Sequence, residues 1–121
     1  MKNPVGYFEI PVDDLDRAVR FYESVFGFRL VLTVIDGHPM ALFPSHDQAP
    51  GITGALAKGE SYTPATAGTR VYFNTDNIDE TLARVLSNGG NVLYPKTSVG
   101  DLGWVAEFQD VEGNRIALHS P

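Results

Sequence analysis

Cysteine is absent from the 121 residues, which removes disulfides, thiolate metal sites and a cysteine nucleophile at once. Basic charge is scarce: nine Lys and Arg stand against fifteen Asp and Glu, for a formal charge of -6 and a pI near 4.8. A phosphate surface demands clustered cations, so neither nucleic acid nor an anionic membrane is expected as a partner. No apolar run approaches the roughly 18 residues of a membrane span. The opening MKNPVGYFEI lacks a signal-peptide core, and a cytoplasmic protein is expected. Gly-x-Gly-x-x-Gly, a phosphate loop and a Gly-x-Ser-x-Gly elbow are all missing, which leaves nucleotide-dependent and serine-hydrolase mechanisms without support. What remains is 43% hydrophobic and 20% charged, a globular composition at a length that suits one domain, 1–121.

Periodicity divides the chain into alternating strand and helix signals. From Val5 to Val12 apolar residues alternate, with Phe8, Ile10 and Val12 on one face and Tyr7, Glu9 and Pro11 on the other. Asp13 and Asp14 supply capping oxygens for an amphipathic helix carrying Leu15, Ala18, Val19, Tyr22, Val25 and Phe26, which stops at Gly27. Phe28 to Ile35 and His38 to Phe43 read as strands joined by an Asp36-Gly37 hairpin turn, and Ile52 to Lys58 as a fourth strand. Gly59 to Gly68, rich in Gly, Ser, Thr and Pro, is the one plausible linker. The order then repeats: a strand from Thr69 to Thr75, a helix from Asn77 to Asn88 with Asn77 and Glu80 as a capping box, and strands near Asn91–Val99, Leu102–Gln109 and Asn114–His119.

An offset of 63 residues carries Asp13 to Asp76, Asp16 to Asp79, Ser24 to Ser87, Gly27 to Gly90, Leu30 to Leu93 and Gly37 to Gly100 without a gap. The chain therefore reads as an α+β fold of two βαβββ modules, 1–58 and 69–121, joined by the linker 59–68. A helix covers only one face of each sheet. Tyr7, Glu9, Arg70, Tyr72 and Asn74 are left facing the space between the modules, a curved sheet around a cavity suited to a small ligand.

At these residues the chain resembles the vicinal oxygen chelate superfamily, which includes glyoxalase I, bleomycin-resistance proteins and extradiol dioxygenases. The resemblance rests on FEIPVDDLDRAVRFYESVFGF, on YFNTDNIDETLARVLSNGGNVLYP and on the closing FQDVEGNRIALHS. Val111 departs from the Asp-Pro-Asp/Glu-Gly usual in the closing turn. The resemblance implies four inward metal positions filled by His, Glu or Gln, and here these fall at Tyr7, Gly54 or Ala55, Arg70 and Ala117. The repeat offset independently maps Tyr7 onto Arg70. A permanently charged guanidinium opposes a cation, so no metal or other cofactor is expected. The resemblance also implies a homodimer.

The candidate residues carry open alternatives. Glu9 in an apolar strand calls for a partner, and Arg70 is the candidate; the pair is either structural or a cavity acid released when an anion binds Arg70. His38 and His46 read as surface residues, while alternation from Ala117 puts His119 on the cavity side, where it is a candidate general base. Tyr7, Tyr72 and Trp104 are either packing residues or stacking surfaces for a planar ligand. The leading expectation is a metal-independent binding module that holds a small organic ligand with Tyr7, Arg70, Tyr72, Asn74 and Trp104. The alternative is a glyoxalase-type lyase or dioxygenase whose divalent ion is held by Glu9 and His119, and a third reading makes those two residues metal-free acid-base catalysts.

Overall fold

The structure, a computed structural model, describes residues 2–121. Its elements follow the order β1 (Phe8–Pro11), α1 (Leu15–Phe26), β2 (Val31–Ile35), β3 (His38–Leu42), β4 (Gly54–Ala57), β5 (Tyr72–Asn74), α2 (Ile78–Ser87), β6 (Asn91–Ser98), a 3-10 turn at Gly100–Leu102, β7 (Trp104–Gln109) and β8 (Arg115–Ser120). They form two mixed four-stranded sheets in the orders β1-β4-β3-β2 and β5-β8-β7-β6. Within each sheet the first strand runs parallel to the last and the other pairings are antiparallel. Two βαβββ modules are thus realised, with the same connectivity in each.

Local chemistry sets the boundaries. The Asp14 side chain accepts from the Arg17 amide and the Asn77 side chain from the Glu80 amide, so both helices begin with the same cap at positions 63 residues apart. Gly27 ends α1 with φ 77, the left-handed conformation a side chain resists. Asp36 and Gly37 both have positive φ, the hairpin geometry that matches strand twist. β1 and β5 are shorter than the alternating runs that announce them. Each is an edge strand with one neighbour, so its ladder extends only as far as β4 or β8 can pair. The opposite edge, β2, exposes Val31, Leu32, Val34 and Ile35.

One continuous core takes side chains from both modules: Ile10, Phe21, Tyr22, Val25, Phe43 and Leu56 from the first, Ile78, Val85, Phe108, Ile116 and Leu118 from the second. Helix α1 reaches across, for Phe26 stacks on Phe73 at 4.8 Å and Phe21 approaches Phe108 at 6.1 Å between ring centroids. Apolar area removed from water is the main stabilising term here, at roughly 25 cal/mol per Å².

A polar clamp fastens this core on one side. In the β7–β8 turn, Asp110 accepts from the amides of Glu112 and Asn114 with Oδ1 and from the Tyr22 hydroxyl at 2.7 Å with Oδ2. Glu112 Oε1 accepts from the amides of Asp13 and Asp14, and its Oε2 from Arg17 Nε at 2.5 Å. Asn114 donates to the Pro11 carbonyl. The second module thereby satisfies free amides at the start of α1. Burial raises the Asp110 carboxyl above the usual carboxylate range despite these bonds, and burial beside that carboxylate pushes the Tyr22 hydroxyl well above its ordinary value. Val111 leaves the closing turn intact, because the turn is held by the Asp110 carboxylate.

Candidate functional site

The free edges β1 and β5 border a cleft of about 810 Å³. Phe8, Phe43 and Phe73 contribute to its lining and touch one another, with Phe43 and Phe73 5.5 Å apart and Phe8 edge-on to Phe73 at 6.0 Å. These rings also belong to the core shell, so one wall of the cleft is rigid packing. Tyr7, Arg70, Tyr72 and Asn74 line the cleft too, but so do Phe8, Val71 and Phe73 of the opposite parity, and Glu9 does not, because the cleft opens at the two strand edges and not over one face of a sheet. Tyr7 and Tyr72 remain 47% and 51% exposed, so both rings offer free surface to a guest. Among the described residues this volume falls within the size range of small-molecule sites, and its lining is mostly apolar with a few polar groups.

Glu9 takes other partners than the one expected from sequence. Its Oε2 accepts from the Tyr7 hydroxyl at 3.0 Å and its Oε1 from the Tyr62 hydroxyl at 2.6 Å. Tyr62 belongs to the 59–68 segment, which folds back so that this ring packs with Met40, Leu42, Ala55 and Ala57 and meets His38 edge-on at 5.6 Å. The open face of the first sheet is therefore occupied by the chain itself. The hydrogen bond to Glu9 lifts the Tyr62 hydroxyl to about 12, and burial followed by Glu9 raises that of Tyr7. Arg70 instead faces Glu107 in β7, Nε to Oε1 3.4 Å, an ion pair within the second module.

Two further candidates lie apart from the cleft lining. His119 stands opposite Val105 and beside Asn74, and its Nε2 lies 2.5 Å from the Leu102 carbonyl. A carbonyl only accepts, so Nε2 is the donor in this contact. Trp104 shares its side of β7 with the core residues Ala106 and Phe108, and its ring lies under Lys96 Nζ at 4.8 Å. Lys96 also pairs with Asp79 of α2 at 3.0 Å, which puts the tryptophan on the helix-bearing side of the sheet, away from the cleft. Sequence reasoning missed His46 and Ile52, which do line the cleft, and the Glu107–Arg115 pair beside it.

A divalent ion does not suit these positions. Gly54, Ala55 and Ala117 bring no donor side chain, and a Cβ on Gly54 would stand 2.1 Å from the Phe8 carbonyl oxygen, so no larger residue fits there without a backbone shift. Arg70 is cationic and Tyr7 is a phenol held neutral by burial and by Glu9. Among the described residues no three His, Asp or Glu side chains converge as a metal site requires. Glu9 and His119, the unusual pair, stand in different sheets with separate partners.

With this geometry in view, the Glyoxalase/Bleomycin resistance protein/Dioxygenase superfamily profile matches residues 5–118. The chain belongs to that superfamily. A glyoxylase-like domain-containing protein from Didymella fabae is 31% identical over 120 residues, covering 94% of this chain and 91% of that protein. TnmS3, an antibiotic binding protein from Streptomyces sp. CB03234, is 26% identical with a TM-score of 0.70, covering 99% of this chain and 97% of its own. A glyoxalase I variant from Zea mays superposes with a TM-score of 0.71 at 19% identity, and this chain, 97% covered, spans 46% of that one. The glyoxalase/bleomycin-resistance fold is shared with all of these structures. Among the described residues no helix is long and apolar enough to cross a membrane.

Proposed function

We propose that this member of the superfamily binds a small organic molecule in the β1–β5 cleft without a metal centre. The observation that carries this reading is the make-up of the cleft and of the four family metal positions. The cleft offers aromatic rings, a guanidinium and an amide, whereas the metal positions hold Tyr7, Gly54 or Ala55, Arg70 and Ala117. Such a surface rewards contact with flat apolar matter and selects orientation with few polar groups. The likeness to an antibiotic-binding protein supports the same reading. Glu9 then serves as an anchor for Tyr7 and Tyr62, keeping one ring at the cleft and the other over the first sheet.

The test uses protein purified without chelator. Elemental analysis should return no stoichiometric zinc, nickel, manganese or iron, and the same sample should bind the neutral dye Nile red at one site per chain. Ile52→Arg, which puts a charge into the cleft wall, should abolish that binding. Leu102→Arg, at an exposed apolar residue that does not line the cleft, should leave it unchanged. Stoichiometric metal, or dye binding indifferent to the Ile52 change, overturns the reading.

A further inference from the structure

We propose that the cleft selects a singly negative aromatic guest, whose anionic group takes Arg70 over from Glu107 while its ring lies against the first module. This rests on the binding reading above and adds the charge of the ligand and the residue that releases its anchor.

Three facts converge. Glu107 has a side chain only 9% exposed, and both Arg115 Nε, at 2.5 Å, and Arg70 Nε, at 3.4 Å, address the same oxygen, Oε1. One carboxylate thus answers two guanidiniums that cannot lose their protons, and the cluster keeps one positive charge in a chain whose total is -6. The two arginines are not equivalent: Arg115 holds the short contact and is 26% exposed, whereas Arg70 holds the long one, is 47% exposed and lines the cleft. Arg70 is the member free to change partners, with most of its N–H donors unused by Glu107.

The internal repeat says what the rest of the guest should be. Stepping back by the 63-residue offset, Arg70, Glu107 and Arg115 fall on Tyr7, Pro44 and Ile52, and all three of those line the cleft. At equivalent positions the first module therefore sets one aromatic and two apolar residues on the cleft, and the second sets a single guanidinium there, with Glu107 and Arg115 behind it. A molecule bridging the two needs a flat apolar body and one negative group, and a charge-assisted bond to Arg70 becomes stronger once the guest excludes water.

Calorimetric titration with 2-naphthoate and its neutral counterpart 2-naphthamide reads the selection directly. Naphthoate should bind at least about tenfold more tightly, and added sodium chloride should weaken naphthoate alone. Arg70→Gln should bring the two ligands within about threefold of each other. Because Arg70 is half exposed, this variant decides the matter whether or not the buried Glu107→Gln change folds. Where Glu107→Gln does fold, it removes the competing carboxylate and should tighten naphthoate severalfold without moving naphthamide; an Arg70 that serves only to neutralise Glu107 gives no such gain. Equal affinities in the unaltered protein overturn the charge selection and leave the cleft reading standing. Failure of both compounds to bind at millimolar concentration, together with failure of Nile red, removes the cleft reading and this proposal with it.

Discussion

The two modules share a skeleton and differ in what their equivalent side chains do. Asp14 and Asn77 cap their helices identically, and Leu15 and Ile78, then Ala18 and Thr81, occupy matching positions facing the core. At the next matching position the copies diverge: the first has Tyr22, fully buried and tied to Asp110, and the second has Val85, buried with no polar tether. The turns diverge further. Asp110, Glu112 and Asn114 clamp the second module onto the start of α1, while their counterparts Asp47, Ala49 and Gly51 have no equivalent carboxylate and amide at the last two positions and form an open loop beside the cleft. Capping and turn chemistry suffice to rebuild the module twice. The asymmetry laid over it closes one seam between the halves and leaves the other open as the cleft at β1 and β5.

The largest expected effect comes from the buried helix position where the copies differ. Tyr22→Ala removes a ring packed on Phe21, Phe43 and Phe73 together with a partner of Asp110, and about 4 kcal/mol should be lost in urea unfolding. Val85→Ala removes two methyl groups from the equivalent site and should cost about 2 kcal/mol. Equal losses would mean that the clamp side of the core is no more tightly built than the other, and the comparison would fail.

Glu112→Ala attacks the clamp itself. It strands the amides of Asp13 and Asp14 and leaves Arg17 without its carboxylate, and about 3 kcal/mol should be lost. Ala49→Ser, at the counterpart position in the exposed loop, should stay within about 0.5 kcal/mol. Chemical denaturation measures both, and a neutral Glu112→Ala would show that apolar packing alone joins the modules.

How far the sequence could announce all this depends on whether a feature is local. The caps at Asp14 and Asn77, the Gly27 stop and the Asp36-Gly37 turn are decided by neighbours in the chain, so each was legible, and the repeat offset transmits them to the second half. Alternation in a strand is a local property too, yet it named only part of the cleft: Tyr7, Arg70, Tyr72 and Asn74 line it, and so do Phe8, Val71 and Phe73 of the other parity, since the cleft lies at the strand edges. Partners across strands were not legible. Glu107, a lone charge in WVAEFQ, gives the same signal as Glu9 in FEIP, yet only the register of β7 on β8 sets it opposite Ala117 and within reach of two arginines. Trp104 has the parity of Phe108, so its side follows only once Phe108 is known to be core. Tyr62 is the hardest case, a single aromatic residue in a stretch whose composition reads as linker, placed over the first sheet by contacts far away in sequence.

That ring also supplies the subtlest prediction about the two halves, since it occupies the open face of the first sheet whereas Tyr72 on the second sheet stays exposed. The Tyr62 hydroxyl is lifted from 10.0 to about 12 by its bond to Glu9. A hydroxyl whose value is higher in the folded chain contributes its full stabilisation below pH 10, because neither state is ionised there, and loses it as the pH rises from 10 to about 12. Tyr62→Phe should therefore unfold at lower urea concentration than the unaltered protein at pH 8, with the gap closing between pH 10 and pH 12. Absorbance titration of the phenolates should show one fewer late-titrating group in the variant. A gap that persists unchanged to pH 12 would mean that Tyr62 holds the first sheet by packing alone, with its bond to Glu9 contributing nothing to the difference between the two faces.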